Sequence, residues 1–150
     1  MDIRVQSAAF DPGAELNAFT ARQQSMGAIV TFSGIVRDIA GGLKVMEIEH
    51  YRGMTEAALT DMADTARTRW ALGDVLILHR YGALAADEPI MMVATAAPHR
   101  ADAFAAAEFL MDYLKSRAPF WKKEITPQGS QWVDARDDDE VALARWRQPG

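Results

Sequence analysis

The strands predicted by this sequence follow one another in pairs, with no helix between the two members of a pair, and this pattern constrains the fold more than any other feature. The pairs lie at residues 28–32 and 45–50, at 74–79 and 90–96, and at 120–126 and 131–133. These segments are rich in β-branched and aromatic residues, or alternate between apolar and polar side chains. Parallel neighbours need a crossover connection, which is usually a helix. We therefore predict an α+β fold with a mixed or antiparallel sheet.

Two main helices separate these strand pairs. Residues 55–70 and 100–116 place apolar side chains at spacings of three and four, and alanine is abundant in the second segment. Pro119 closes the second helix, and shorter helices are predicted at 15–24 and 140–146. A chain of 150 residues is the size of one ordinary domain, so residues 1–150 are interpreted as a single domain.

The charge composition disfavours binding to nucleic acid. Sixteen Lys and Arg against 21 Asp and Glu give a net charge of -5, whereas phosphate neutralisation needs a basic face. Four cations and no acid lie between Lys115 and Lys123, a local pattern that suits a small anionic ligand. No segment is long and apolar enough to span a bilayer, and the first residues lack the features of a signal peptide. We therefore expect a cytoplasmic protein without a membrane partner.

Lys115 and Lys122 are the first candidates for chemistry, because clustered lysines can supply both a proton-transfer group and a charge for a carboxylate or phosphate. The alternative is that Lys115 only balances the dipole at a helix C-terminus while the other cations are solvated. Alternate side chains of a strand face opposite ways, so Lys122 and Lys123 cannot both enter one pocket.

Further cations stand at the ends of predicted elements. His99 and Arg100 begin the second long helix, where backbone N–H groups and a cationic side chain together make an anion site, or else simply face solvent. Arg37 follows the strand that contains Phe32, and taken alone it is interpreted as a surface residue. The other histidines, at positions 50 and 79, lack metal-ligand spacing, so they are interpreted as structural and no metal is predicted.

Several ordered segments of the chain resemble one family, the molybdopterin synthase large subunit. The similarity runs from residue 27 to about residue 136, and its longest segments are GAIVTFSGIVR at 27–37, EHYRGMTE at 49–56, MDYLK at 111–115 and APFWKKE at 118–124. Shorter matches are Arg69-Trp70, His79-Arg80, His99-Arg100 and Trp132-Val133. One departure is Arg52, where the family usually has proline, and this affects a local turn but none of the candidate site residues.

This resemblance implies a fold of the α/β-hammerhead type and a sulfurtransferase that converts a cyclic pyranopterin monophosphate to the dithiolene of molybdopterin, with no cofactor of its own. Lys115 and Lys122 would be the catalytic residues. The residues implied to bind substrate are Ile35, Val36, Arg37, His99, Arg100, Lys115, Lys122, Lys123, Glu124 and Arg136.

The resemblance also implies a sulfur donor, a small ubiquitin-like subunit whose C-terminal Gly-Gly carries a thiocarboxylate. Two large subunits would form a central homodimer within a heterotetramer. The chain has no cysteine and so no persulfide of its own, which fits sulfur that arrives already activated on a partner.

Helix geometry suggests how such a site would be built. Fifteen residues separate Arg100 from Lys115, and in one continuous helix this spacing holds their backbones roughly 22 Å apart. We therefore expect each pocket to be shared, with Lys115, Lys122 and Arg37 from one subunit and the residues His99, Arg100 and Arg136 from its dimer mate.

Two other functions use the same cations. One is a non-catalytic homodimer that binds an anionic metabolite or a partner tail. The other is a lysine Schiff-base enzyme, for which the sequence offers two lysines but no signature of a cofactor or carbonyl substrate.

Overall fold

A computed structural model describes residues 1–133 and 137–147 of the chain. Its strands are β1 Asp2–Gln6, β2 Ala28–Ile35, β3 Val45–His50, β4 Asp74–Arg80, β5 Gly82–Leu84, β6 Pro89–Ala97, β7 Phe120–Thr126 and β8 Gly129–Trp132. Its helices are α1 Pro12–Ala21, α2 Met54–Trp70, α3 Arg100–Ser116 and α4 Asp137–Ala144, with a 3₁₀ turn at Arg145–Arg147. Among these helices, none is long and apolar enough to cross a membrane.

The predicted α+β class and the two long helices are confirmed, but the strands form two sheets. The first sheet has the order β1-β4-β6-β2, with β1 parallel to β4 and the other pairs antiparallel. The second has the order β5-β3-β7-β8 and is antiparallel throughout. Strands β1 and β5 were not predicted. The chain passes from one sheet to the other after β4 at Gly82, whose φ of +94° favours glycine.

The first sheet is covered by helices on both faces. Helices α2 and α3 pack on one face and α1 on the other, so every residue of β4 is buried. Along β4, Leu76 and Leu78 join Phe19 of α1 in a small core, whereas Val75 and Ile77 face the main core beneath α2 and α3. Because side chains alternate along a strand, His79 continues the face that carries Val75 and Ile77.

The second sheet meets the main core near the C-terminal end of α3. Ile48 of β3 and Leu84 of β5 are buried in that core, and Leu114 of α3 and Phe120 of β7 pack against it. Pro119 lies between the end of α3 and the start of β7, so the chain reverses within three residues, 117–119. This short connection places the last turn of α3 beside the inner face of β7.

Asp74, at the start of β4, ties the first sheet to the end of α1. Its Oδ2 accepts hydrogen bonds from Arg22 Nε at 2.8 Å and Gln23 Nε2 at 2.7 Å, and its Oδ1 accepts one from the Val75 N–H at 2.8 Å. Burial alone would raise the pKa of this carboxyl group, but the hydrogen bonds from Arg22, Gln23 and Val75 outweigh burial and lower it to about 2.

We expect Asp74→Asn to lower the free energy of unfolding at neutral pH by about 2 kcal/mol, because the charged form is stabilised only in the folded chain. A depressed pKa contributes stability above the unfolded value of about 4, and this contribution is lost as the pH falls towards 2. The gap between wild type and variant should therefore close between about pH 4 and pH 2 in denaturant titrations. Asp64→Asn, on the exposed side of α2, is the control and should change stability little at any pH.

Candidate active site

A cavity of about 610 Å³ opens where the end of β2, the last turn of α3 and the inner face of β7 meet. Its walls are largely apolar, with contributions from β6 and β3, and its polar groups come from few positions. The polar or charged side chains that line it are Ser33, Arg37, His79, Lys115, Lys122 and Glu124. A mostly apolar pocket with a few convergent polar groups is the usual form of a small-molecule site.

Two lysines lie on the wall of this cavity. Lys115 stands in the last turn of α3 with an exposed side chain, and Lys122 stands on β7 with a partly buried one. The pKa of Lys122 is lowered to about 8, mainly by burial and also by the charge of Lys115, while Asp139 of α4 opposes the shift. The cavity therefore contains a lysine that can exchange a proton near neutral pH.

Strand alternation divides the cations of β7. Lys122 and Glu124 line the cavity, whereas Lys123 points to the other face, with its Nζ 5.2 Å from the centre of the Trp132 ring. This is the separation of Lys122 from Lys123 that the sequence predicts. Within this chain, Lys123 belongs to the outer surface of the second sheet.

The end of β2 forms a fixed rim on the opposite wall. A bulge at Gly34 and Ile35 shifts the pairing with β6, after which the Val36 N–H donates to Glu88 O at 2.9 Å and the Asp87 N–H donates to Val36 O at 2.7 Å. Ile35 is exposed and Val36 is buried, yet both line the cavity together with Arg37. These backbone contacts hold Arg37 at the mouth of the cavity.

His99 and Arg100 lie elsewhere. Helix α3 is continuous from Arg100–Ser116, so its ends are separated by the full length of the helix, and neither His99 nor Arg100 lines the cavity. Both are exposed at the N-terminal end. Arg136 lies outside the described residues. A single chain thus brings together six of the ten predicted positions: Ile35, Val36, Arg37, Lys115, Lys122 and Glu124.

Sequence reasoning missed His79 as a cavity residue. Its side chain is only 4% exposed, and its ring stacks on Phe120 with centroids 3.8 Å apart. Nδ1 lies 2.8 Å from the carbonyl oxygen of Arg80, which can only accept, so Nδ1 carries the proton and Nε2 keeps a lone pair. Burial lowers the pKa of His79 to about 3, with a further contribution from the Lys122 charge, so the ring is neutral. Side chains alternate along β4, so His79 lies on the same face as Val75 and Ile77. This alternation is the sequence signal that could have placed His79 on the core side of the strand.

This arrangement suits an anionic substrate and a proton transfer. Arg37 and the two lysines supply positive charge at one cavity, and Lys122 supplies a group that can gain or lose a proton. Among residues 1–133 and 137–147, no three histidine or acidic side chains lie close enough together to hold a metal ion.

Comparisons with known proteins identify the family of the chain. The model of the MoaE protein family matches residues 5–117. A molybdopterin synthase catalytic subunit from Cereibacter sphaeroides is 61% identical over 146 residues, covering 97% of this chain and 100% of the relative. The solved MoaE protein from Burkholderia ambifaria is 54% identical, with a TM-score of 0.82 and coverage of 97% of this chain and 98% of that one. Molybdopterin synthase from Staphylococcus aureus is 30% identical, with a TM-score of 0.79 and coverage of 87% and 95%. The chain therefore belongs to the MoaE family of molybdopterin synthase catalytic subunits.

Proposed function

We propose that this chain is the catalytic subunit of a molybdopterin synthase and transfers sulfur to a cyclic pyranopterin monophosphate. The observation that carries the proposal is the pair Lys115 and Lys122 in one cavity with Arg37, in a chain of this family. The cavity volume of about 610 Å³ lies within the range of small-molecule sites. We place the reaction in the cytoplasm.

The sulfur donor in this proposal is a small ubiquitin-like subunit whose C-terminal Gly-Gly carries a thiocarboxylate. Two observations support it: the chain has no cysteine on which to activate sulfur, and the relative from Cereibacter sphaeroides is named a catalytic subunit, which presupposes another. The donor tail enters the cavity between Arg37 and Lys115, where positive charge holds the carboxylate that remains after transfer.

In the reaction, the thiocarboxylate sulfur attacks a carbon of the pterin side chain, so a C–S bond forms while the C–O bond at that carbon breaks, and the oxygen leaves as water or with the opened phosphate ester. Water then replaces sulfur on the glycine carbonyl, and the donor leaves as a carboxylate. The lysines stabilise the negative charge, and a lysine with a pKa of about 8 can pass the proton that each step needs. Two such transfers give the dithiolene.

The cations His99 and Arg100 lie away from the cavity of their own chain, so they are free to hold the substrate phosphate in another. We propose a homodimer within a heterotetramer, in which His99, Arg100 and Arg136 of one subunit complete the cavity that holds Lys115, Lys122 and Arg37 of the other. Lys123 has a different role in this arrangement, because it lies on the outer face of β7.

The direct test mixes the purified chain with a thiocarboxylated donor and the pterin monophosphate. A synthase gives the dithiolene product, and a donor whose last glycine is removed or amidated gives almost none. A non-catalytic binding protein would bind the tail or the pterin without forming product, and a Schiff-base enzyme would be trapped by borohydride on a carbonyl substrate. Either result would refute the proposal.

We expect Lys115→Ala to abolish product formation and Lys122→Ala to lower the rate by at least about 100-fold, because both remove a charge or proton-transfer group from the cavity. Lys123→Ala should stay within about threefold of wild type, since its side chain lies on the opposite face. Single-turnover rates and thermal melting measured together separate chemistry from folding. Equal losses at Lys122 and Lys123 would contradict the division of the strand into two faces.

A mixed dimer tests whether the pocket is shared. One subunit carries Lys115→Ala and the other Arg100→Ala, each inactive as a homodimer. A shared site leaves one pocket with both groups intact, so verified heterodimers should recover about half of the wild-type activity. The matched control pairs Lys115→Ala with Lys122→Ala, whose targets lie in the cavity of one chain, and it should recover none. No recovery in the first mixture would show that the pocket is not shared in this way.

A further inference from the structure

The wall of the cavity carries both His79 and Lys122, and the Lys122 charge acts on the His79 ring. The inner face of β7 carries Phe120, Lys122 and Glu124 in sequence, and the His79 ring lies flat on Phe120 at 3.8 Å. The next inward-facing residue of a strand is about 7 Å further along, so Lys122 follows directly beyond the stacked pair. Both His79 and Lys122 line the cavity.

Two contacts and burial hold the His79 ring in one orientation and one tautomer. The Nδ1–H donates to the carbonyl of Arg80, Phe120 covers one ring face, and the side chain is almost fully buried. Its free nitrogen, Nε2, can therefore only accept a hydrogen bond.

The surroundings of His79 keep it from adding to the three cations of the cavity, Arg37, Lys115 and Lys122. Burial is the main cause of the lowered pKa of His79, and Lys122 of β7, Lys115 of α3 and His50 of β3 lower it further. A neutral acceptor thus lies among cations. The carboxylate of Glu124, which shares the same cavity, would bring a negative charge instead.

We propose that His79 is a positioning residue for Lys122: when substrate and donor tail fill the cavity, Nε2 of His79 accepts a hydrogen bond from the Lys122 ammonium group and aims its other two N–H bonds at the reacting atoms. Filling the cavity removes the water that otherwise solvates the ammonium, so a fixed protein acceptor takes its place. This role rests on the proposed synthase activity. It orients the lysine without reducing the positive charge available to the substrate.

Three substitutions separate the acceptor from packing. His79→Phe keeps an aromatic ring against Phe120 but removes the acceptor. His79→Asn keeps a donor within reach of the Arg80 carbonyl, but its amide is too short to replace Nε2. His79→Gln places an amide oxygen near the position of Nε2. His50→Phe is the matched control, because His50 belongs to the same aromatic cluster, with its ring 4.4 Å from Tyr81, but does not line the cavity.

The measurements are kcat and KM with thiocarboxylated donor and pterin monophosphate, the pH profile and thermal melting. We expect His79→Phe and His79→Asn to lower kcat about 10- to 100-fold with little change in KM, the loss typical of a hydrogen bond to a charged group. His79→Gln should stay within about fivefold of wild type, and His50→Phe within about twofold.

The pH profile distinguishes positioning from packing. A hydrogen-bond acceptor favours the charged form of lysine, so loss of the acceptor should lower the pKa of Lys122. The limb of the pH–rate profile that depends on Lys122 should then move to lower pH. That limb is identified as the one altered by Lys122→Arg. His79→Gln should leave it in place.

Wild-type kcat in His79→Phe or His79→Asn, or an unmoved limb in a slow variant, would overturn the positioning role. A His79→Gln variant as slow as His79→Asn, with equal melting temperatures, would also overturn it. If His79→Phe does not fold, the comparison of Asn with Gln decides alone. Absence of product from the wild-type chain would instead refute the synthase proposal on which this role rests.

Discussion

Every residue of β4 is buried, and the two hydrophobic cores lie on its opposite faces. This strand lies between β1 and β6, and it separates the small core around Phe19 from the main core beneath α2 and α3. A strand with helices on both faces must be apolar at almost every position, and β4 departs from this only at its two ends. Asp74 at one end is held by hydrogen bonds, and His79 near the other is held by stacking and by a backbone carbonyl. The polar ends of this buried strand serve stability in one case and the cavity in the other.

Burial and repulsion between like charges together determine the protonation behaviour of the cavity. Lys115 is exposed, while Lys122 is partly buried, and its burial together with the charge of Lys115 lowers the pKa of Lys122 to about 8. Asp139 moderates this effect without entering the cavity wall. The neutral His79 keeps the number of positive charges at this wall from rising further. A bound anion lowers the electrostatic free energy of the cations in the cavity. The arrangement therefore favours binding of an anionic ligand.

Local patterns predicted most of the elements, whereas the grouping of strands depended on contacts far apart in the chain. Spacings of three and four identified α2 and α3, and β-branched runs identified the central strands. Strand β5 has only three residues and gave a weak signal, whereas β1 alternates Ile3 and Val5 with charged or amide residues, a strand signal in the sequence that the prediction did not use. Among the site residues, Lys115 and Lys122 stand in recognisable segments, but the place of His79 depends on stacking against Phe120, which lies in another sheet. No local pattern encodes such a pairing.

The length of helix α3 fixes the distance between the site residues at its two ends. It is one unbroken element with Arg100 at its start and Lys115 in its last turn, and in the proposed dimer these ends serve different pockets. Inserting one residue into it would turn one end by about 100° relative to the other, while inserting seven would restore the phase but lengthen it by about 10 Å. Neither change leaves both pockets intact. We therefore expect related proteins to keep the length of α3 unchanged. The surface loop between β2 and β3 can vary in length, because an added residue there moves neither end of the helix.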